Sequence, residues 1–298
     1  MRHRTADLDG PVHYLDFGGD GSPLVMVHGL GGNSLNWMAV GPGLAQDHHT
    51  YALDLPGFGR TPLFNRSAAV GANQDLVHRF IHEVVREPVV LMGNSMGGHI
   101  SILEAAQHPR WIQALVLVDP AIPGVHMARP DARMIGMGIA LSIPGLAQSF
   151  MERRLRELGP DGLVRETMEL VAANPRRVSP DVIAAHVALT KERAPLGRQN
   201  NRAFLQATRS LALRMADPRF WTKVRLIQAP TLVIHGGLDR LIPLSAVREL
   251  VRRRPDWTLK VFDGVGHVPM METPEQFLSV ATEWMNARVA EPETVPVS

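Results

Sequence analysis

Cysteine is absent from this chain of 298 residues. The protein therefore has no disulfide bond, no thiolate nucleophile and no cysteine-based zinc site. Apolar residues make up 45% and charged residues 20% of the chain, which is typical of a globular protein. The length suits one large α/β domain, or one domain that carries an inserted subdomain.

A large excess of charge of either sign is also missing. The chain has 31 Lys and Arg against 29 Asp and Glu, a formal net charge of +2. Its arginine-rich groups, at residues 153–156 and 252–254, are short and are typical of solvated helix faces. No basic cluster is large enough to predict a groove for nucleic acid.

Long uninterrupted apolar segments are lacking as well. The first residues are basic but no apolar run follows them, so no secretory signal is predicted and a cytoplasmic location is expected. Residues 134–151 contain no charged side chain, but Pro144 and several glycines interrupt them. This segment predicts a broken pair of helices over a pocket and no integral membrane segment.

Short apolar runs that alternate with helical patterns make up both ends of the chain. They predict a parallel sheet covered by helices on both faces. Residues 122–217 show helical stretches broken by prolines and no convincing strand, which predicts a helical insertion between core segments 1–121 and 218–298. The tail from Val289 is expected to be mobile. Predicted strands cover residues 12–17, 24–28, 51–54, 88–92, 114–118, 231–235 and 258–262.

The most informative motif is the segment Gly93–Gly97, which holds a serine between two glycines. It follows a predicted strand and precedes a predicted helix. At such a junction the turn is tight and strained, and small neighbours let the serine hydroxyl project from the top of the sheet. Ser95 is therefore the predicted nucleophile.

A serine nucleophile needs a base, and the base needs an acid that orients it. In this arrangement the chain order is nucleophile, acid, histidine. Asp239 and His267 each follow a later predicted strand, so they are the predicted acid and base. Asp119 also ends a strand and is the rival acid, whereas Asp54 precedes the serine and is a weaker candidate.

The negative oxygen of a tetrahedral intermediate needs preorganised donors. The backbone amide of Met96 is one predicted donor, and the amide of Leu30, in the loop after an early strand, is the other. His28, at the end of that strand, is predicted to fix the loop through a hydrogen bond.

Signals for metals and cofactors are weak. His78 and His82 are four residues apart on a predicted helix, a spacing that can bind metal, but the sequence shows no third ligand. The glycines of residues 29–32 do not have the spacing of a dinucleotide-binding loop. No metal or cofactor is predicted.

These motifs together resemble those of the α/β-hydrolase superfamily over nearly the whole chain. The resemblance implies the α/β-hydrolase fold: a mainly parallel eight-stranded sheet with helices on both faces, and an inserted helical cap over the active site. It implies no cofactor. The matching segments are residues 28–32, 54–59, 93–98, 237–239 and 266–267.

Within the superfamily, Ser95 differs from the aspartate nucleophile of epoxide hydrolases and haloalkane dehalogenases. The motif at residues 93–98 looks like those of carboxylesterases, monoacylglycerol lipases and C–C hydrolases of aromatic ring-cleavage products. The C–C hydrolases usually have a tryptophan directly after the histidine, where this chain has Val268. The favoured interpretation is a serine hydrolase of small to medium carboxylic esters.

Two alternatives remain open at this point. One is a C–C hydrolase of ring-cleavage products, and the other is a non-catalytic ligand receptor that retains the triad. The expected partner is a small-molecule ester, and the sequence leaves the oligomeric state open, a homodimer included.

Overall fold

The computed structural model describes residues 1–123 and 146–288, and an eight-stranded sheet forms its centre. The expectations for residues 124–145 and for the tail from Val289 fall outside the described residues. The strands are β1 (Arg2–Asp7), β2 (Pro11–Gly18), β3 (Pro23–Val27), β4 (His49–Leu53), β5 (Val89–Asn94), β6 (Ile112–Val118), β7 (Thr231–Gly236) and β8 (Thr258–Phe262).

The strands lie in the order β1-β2-β4-β3-β5-β6-β7-β8. Strand β2 pairs antiparallel with both β1 and β4, and all other neighbours are parallel. The predicted α/β fold with a mainly parallel eight-stranded sheet is confirmed. Strand β1 is the one that the residue pattern had not predicted.

Helices cover the sheet and fill the connections between its strands. None of those in the described part of the chain combines the length and the hydropathy needed to cross a bilayer. They are α1 (Gly41–Leu44), α2 (Val70–Arg79, continued by a π-helical turn over Phe80–Val85), α3 (Met96–Gln107), α4 (Leu146–Val171), α5 (Pro180–Arg193), α6 (Gly197–Met215), α7 (Phe220–Leu226), α8 (Leu244–Arg253), α9 (Pro269–Glu272) and α10 (Pro274–Asn286).

The parallel strands bury both of their faces, as their continuous apolar runs require. Along β3, Val25 and Val27 contribute to one core, which helices α2, α3, α7 and α8 cover. Their neighbours Leu24 and Met26 contribute to a second core on the opposite face, where α1 and α10 pack. This double covering leaves the carboxyl ends of the strands as the edge where loops can carry function.

A helical segment, residues 146–217, separates β6 from β7 in the chain. The described residues between these two strands contain no strand. Helix α4 is interrupted at Gly159, whose φ of 62° is left-handed, and Pro160 follows directly. Pro160 is one of the prolines at which the sequence predicted breaks in the helices of this segment.

Candidate active site

Ser95 lies at the junction between β5 and α3. Its φ of 55° and ψ of −116° belong to a backbone conformation that non-glycine residues rarely adopt. A Cβ on Gly97 would overlap the backbone carbonyl of Val27, so the turn depends on a glycine there. The backbone N–H of Ser95 donates to the carbonyl of Val118 at 2.9 Å, which holds the turn against the end of β6.

His267 and Asp239 form a buried pair on the loops that follow β8 and β7. Nδ1 of His267 lies 2.7 Å from Oδ2 of Asp239. The other carboxylate oxygen accepts hydrogen bonds from the backbone N–H groups of Leu241 at 2.7 Å and Ile242 at 3.0 Å. The carboxylate is therefore fixed in place, and it in turn fixes the orientation of the imidazole.

The electrostatics of the pair favour a charged imidazole. Burial alone lowers the pKa of His267, but the charge of Asp239, its hydrogen bond and the charge of Asp119 raise the pKa above its ordinary value. Burial alone raises the pKa of Asp239, but the charge of His267, its hydrogen bond and the backbone N–H of Ile242 keep it below its ordinary value. Asp239 is thus suited to stabilise a proton on His267.

The loops that carry the predicted residues meet at one place. The side-chain amide of Asn94, next to Ser95, donates to the carbonyl of His267 at 3.1 Å and to the carbonyl of Val118 at 3.2 Å. A Cβ added to Gly29 would lie 3.0 Å from Cβ of Ser95. Three segments are therefore neighbours: the turn at Ser95, the loop after β8 that carries His267 (the histidine loop) and the loop after β3.

The two predicted oxyanion donors are on those neighbouring loops. Met96 is the first residue of α3, and Leu30 lies in the loop after β3. His28 is fully buried in that loop, with Nδ1 2.7 Å from the carbonyl of Gly29 and Nε2 accepting the N–H of Leu55 at 3.1 Å. The prediction that His28 fixes this loop is confirmed.

Asp119 lies beside the pair but does not replace Asp239 as the partner of His267. It is fully buried, and its Oδ1 accepts the backbone N–H of Gly236 at 2.9 Å. Its Oδ2 has no hydrogen-bond partner among the described residues. Burial first, and then the charge of Asp239, raise the pKa of the Asp119 carboxyl.

His235 completes this buried group. Its Nδ1 lies 2.9 Å from Oδ1 of Asp119, but the geometry makes no hydrogen bond, and both ring nitrogens lack a partner among the described residues. His235, Asp119 and Asp239 offer ligand-type atoms within 4.8 Å of one another. Because the oxygens of Asp239 are already engaged, we do not assign a cation to this group.

Asp54, the weakest of the three candidate acids, uses both of its carboxylate oxygens to connect neighbouring segments. Its Oδ2 lies 2.7 Å from Nδ1 of His13 and accepts the N–H of Arg60 at 2.7 Å. Its Oδ1 accepts the N–H of Ser34 at 2.7 Å. These contacts join strand β2, the segment after β3 and the loop after β4, and none of them involves His267.

Glu272 is an important residue that the sequence reasoning missed. Its side chain is fully buried, and it accepts backbone N–H groups from Gly266 at 2.9 Å, Ala173 at 3.0 Å and Asn174 at 2.9 Å. It thus links Ala173 and Asn174, which follow α4, to Gly266, the residue before His267. The only signal in the sequence is its place five residues after that histidine, which does not show these partners.

The helical segment reaches the site at two further points. The N–H of His267 donates to the carbonyl of Val171, the last residue of α4, at 2.6 Å. A Cβ on Gly31 would lie 3.2 Å from Cε2 of Phe204 on α6, so this ring lies over the loop that contains Leu30. The segment therefore touches both the histidine loop and the loop after β3.

Comparison with known proteins identifies relatives of this arrangement. The family model described as the alpha/beta hydrolase family matches residues 24–280. A 2-hydroxy-6-oxononadienedioate/2-hydroxy-6-oxononatrienedioate hydrolase of Pseudomonas putida is 27% identical over 289 residues, which cover 95% of this chain and 94% of that protein. A pimeloyl-[acyl-carrier protein] methyl ester esterase of Aeromonas hydrophila is 26% identical and covers 88% of this chain and 94% of that protein.

Solved structures show the same fold. A lipase-like protein of Acinetobacter baumannii, described as a putative lipase, superposes with a TM-score of 0.76 at 21% identity, covering 96% of this chain and 91% of that one. The family model spans most of the chain, and the mainly parallel eight-stranded sheet is consistent with the fold of that family. This chain therefore belongs to the alpha/beta hydrolase family.

Proposed function

We propose that this protein is a serine hydrolase that cleaves carboxylic esters of small to medium acyl substrates through an acyl-enzyme. Ser95 is the nucleophile, His267 the general base and Asp239 the acid that orients it. The observation that carries the proposal is the buried contact of 2.7 Å between Nδ1 of His267 and Asp239. It engages one ring nitrogen, so Nε2 is the atom left to take a proton.

In the first half of the reaction, Oγ of Ser95 attacks the ester carbonyl while its proton passes to Nε2 of His267. The carbonyl oxygen becomes negative, and the backbone N–H groups of Leu30 and Met96 stabilise it. Asp239 stabilises the imidazolium that forms. As the tetrahedral intermediate collapses, the C–O bond breaks and the imidazolium returns its proton to the departing alcohol.

In the second half, water replaces the alcohol. His267 accepts a proton from this water as it attacks the acyl-enzyme carbonyl, and the same backbone donors stabilise the second oxyanion. Collapse breaks the bond to Oγ, and His267 returns the proton to Ser95. The products are the free acid and the original enzyme.

We also propose that residues 122–217 act as a cap on a core formed by residues 1–121 and 218–298. Two contacts support this division: Phe204 lies over Gly31, and the carbonyl of Val171 accepts the N–H of His267. Such a cap places apolar and adaptable side chains opposite the nucleophile and sets the acyl group that fits.

A second candidate is hydrolysis of a C–C bond in a dienoic ring-cleavage product. The relative from Pseudomonas putida supports this candidate, because its name specifies this kind of substrate and it is 27% identical to this chain. Val268, which is 3% exposed, follows the histidine where C–C hydrolases usually carry tryptophan, and this favours the ester. Both reactions would use Ser95, His267 and Asp239.

A rate comparison separates the candidates. Wild type and Ser95→Ala are each assayed against p-nitrophenyl esters of increasing acyl length and against a dienoic ring-cleavage product. We expect the wild type to hydrolyse a short or medium ester with the larger kcat/KM, and Ser95→Ala to lose that activity. Equal ester hydrolysis by the two proteins would contradict the proposal.

Two other outcomes would replace the ester hydrolase. A much larger kcat/KM for the dienoic compound would make the protein a C–C hydrolase with the same nucleophile. Tight binding of esters without turnover by the wild type would indicate a receptor.

A further inference from the structure

A second cluster of metal-ligating side chains lies at the opposite end of α3 from Ser95. It consists of His78 on α2, Glu104 on α3 and His108 directly after α3. One ligand atom from each lies within 4.8 Å of the other two. We propose that these three residues bind a divalent cation of the zinc type, which cross-links α2 to α3.

Glu104 is the central ligand of this cluster. Its side chain is fully buried between the two helices, and its Oε1 lies 2.8 Å from Nδ1 of His78. The side-chain amide of Gln74 is 3.5 Å from the other oxygen. A buried carboxylate is costly unless cationic or hydrogen-bonding groups face it. Here the strongest facing group is an imidazole, which is itself a metal ligand.

His108 brings a second imidazole to the same point. Its ring is stacked on that of His78, with centroids 3.7 Å apart and planes inclined by 22°. The ring of His82 is further away, 6.0 Å from that of His78. His78 and His82, the pair that the sequence suggested, are therefore not the two histidines best placed to share a metal ion. The other ligands are Glu104 on α3 and His108 directly after it, which no spacing along α2 could reveal.

The set of donors selects the class of cation. Two imidazole nitrogens and one carboxylate suit zinc and similar borderline ions, whereas calcium and magnesium prefer oxygen ligands alone. With metal–ligand bonds of about 2.0–2.1 Å, neighbouring ligands of a tetrahedral zinc ion are roughly 3.3 Å apart. Nδ1 of His78 and Oε1 of Glu104, at 2.8 Å, are closer than that, and no two of the three ligand atoms are more than 4.8 Å apart.

Binding requires one local adjustment. The lone pair of an imidazole nitrogen lies in the ring plane, so the ring of His108 must tilt out of its stack to share a cation with His78. His108 is half-buried after the last turn of α3, and the side chain of His78 is 26% exposed. The site therefore opens to solvent on the side of the two imidazoles, which leaves room for entry and for a water ligand.

The site is separate from the candidate catalytic centre. Ser95 directly precedes α3 and His108 directly follows it, and a helix rise of about 1.5 Å per residue places them roughly 20 Å apart. The expected consequence of binding is stability, because a cation that binds only the folded state shifts unfolding to higher temperature. A failed ester assay would leave this proposal unaffected, and the reverse also holds.

Zinc titration of the 298-residue chain without a histidine tag tests the proposal. Isothermal titration calorimetry should show one saturable site, and zinc should raise the Tm. Loss of even an outer partner of a metal ligand weakens binding by about 10- to 100-fold, so His108→Ala and Glu104→Gln should each weaken it by about a hundredfold. His82→Ala is the matched control and should bind as the wild type does.

Cobalt provides a second readout. The wild-type complex with Co²⁺ should show the visible absorption of a four-coordinate ion, and His108→Gln, which preserves polarity, should abolish it. Circular dichroism without metal confirms that each variant is folded. The proposal is overturned if the wild type shows no saturable binding, if His108→Ala binds as tightly as the wild type, or if only His82→Ala loses binding.

Discussion

His267 experiences opposing effects from its surroundings, and their balance suits a general base. Burial disfavours the imidazolium, and the carboxylates of Asp239 and Asp119 favour it. Only Asp239 makes the direct contact of 2.7 Å with its ring. The two acids should therefore differ sharply when each is replaced.

Replacement of the two acids by asparagine distinguishes their roles. Asp239→Asn removes the partner that fixes the imidazole and stabilises its charge, so kcat for an ester should fall by about 10³–10⁴-fold. Asp119→Asn leaves the direct contact between Asp239 and His267 in place and should lose much less. Steady-state kinetics of the two variants check this, and a larger loss for Asp119→Asn would make Asp119 the acid of the triad.

The pH dependence of kcat/KM should report the raised pKa of His267. Below that pKa the imidazole is protonated and cannot accept the proton of Ser95, so activity should fall as the pH decreases through it. Asp119→Asn removes one of the charges that raise the pKa, so its acid limb should lie at lower pH than that of the wild type. If the acid limb of Asp119→Asn lies at the same pH as that of the wild type, or at a higher pH, the charge of Asp119 does not raise the pKa of His267.

At the scale of residues, the sequence predicted the candidate catalytic residues but not the side chain that holds their loops in place. Ser95, Asp239 and His267 could be proposed because each follows an apolar strand run in the expected order. The partners of Glu272 could not, because two of the three are backbone N–H groups of Ala173 and Asn174, which lie 99 and 98 residues earlier in the chain. Hydrogen bonds of this kind leave no pattern in side-chain identity.

At the scale of elements, the connection between α4 and the histidine loop depends on one carboxylate. Glu272→Gln replaces an oxygen with an amide that faces backbone donors, and hydrogen bonds to charged groups contribute about 1.5–3 kcal/mol each. We expect the free energy of unfolding to fall by about 2 kcal/mol and kcat to fall as His267 loses its fixed position. Chemical denaturation and ester kinetics measure both effects.

Glu275→Gln is the matched control for that variant. Glu275 lies three residues further on, is exposed and is the second residue of α10. Its replacement should leave both quantities close to those of the wild type. If Glu272→Gln behaves in the same way as the control, the connection does not support the histidine loop.

Elements differed in how readily the sequence revealed them. The central strands were predictable because burial of both faces produces continuous apolar runs. Strand β1 was not, since it is an edge strand whose residues are nearly all exposed and polar, and its pairing with β2 alone defines it. Helix α2 continues as a π-helical turn over Phe80–Val85, which apolar spacing alone does not distinguish from an α-helix.

At the scale of the whole molecule, Arg193 links the helical segment to the loop after β4. Its guanidinium donates to the carbonyls of Gly57 and Gly59 and to Asn200, and Arg60 of the same loop pairs with Glu192. The Arg60 pair is exposed, so it contributes little. The half-buried Arg193 is the stronger link, because its bonds end on backbone carbonyls.

Removal of the Arg193 hydrogen bonds should let the helical segment unfold before the core unfolds. Arg193→Ala is expected to lower the free energy of unfolding by roughly 1–3 kcal/mol and to make residues 146–217 the first site of limited proteolysis. Arg198→Ala, an exposed arginine on the next helix, is the control and should resemble the wild type. First cleavage elsewhere in Arg193→Ala would contradict this role.

The nucleophile assignment is the central claim, and covalent labelling tests it most directly. A fluorophosphonate reacts with an activated serine and stops at an adduct that resembles the tetrahedral intermediate. Intact-mass analysis and peptide mapping should show one adduct, on Ser95, in the wild type. Ser95→Ala should show none, and His267→Ala should react far more slowly. An adduct on another residue, or equal labelling of Ser95→Ala, would contradict the account.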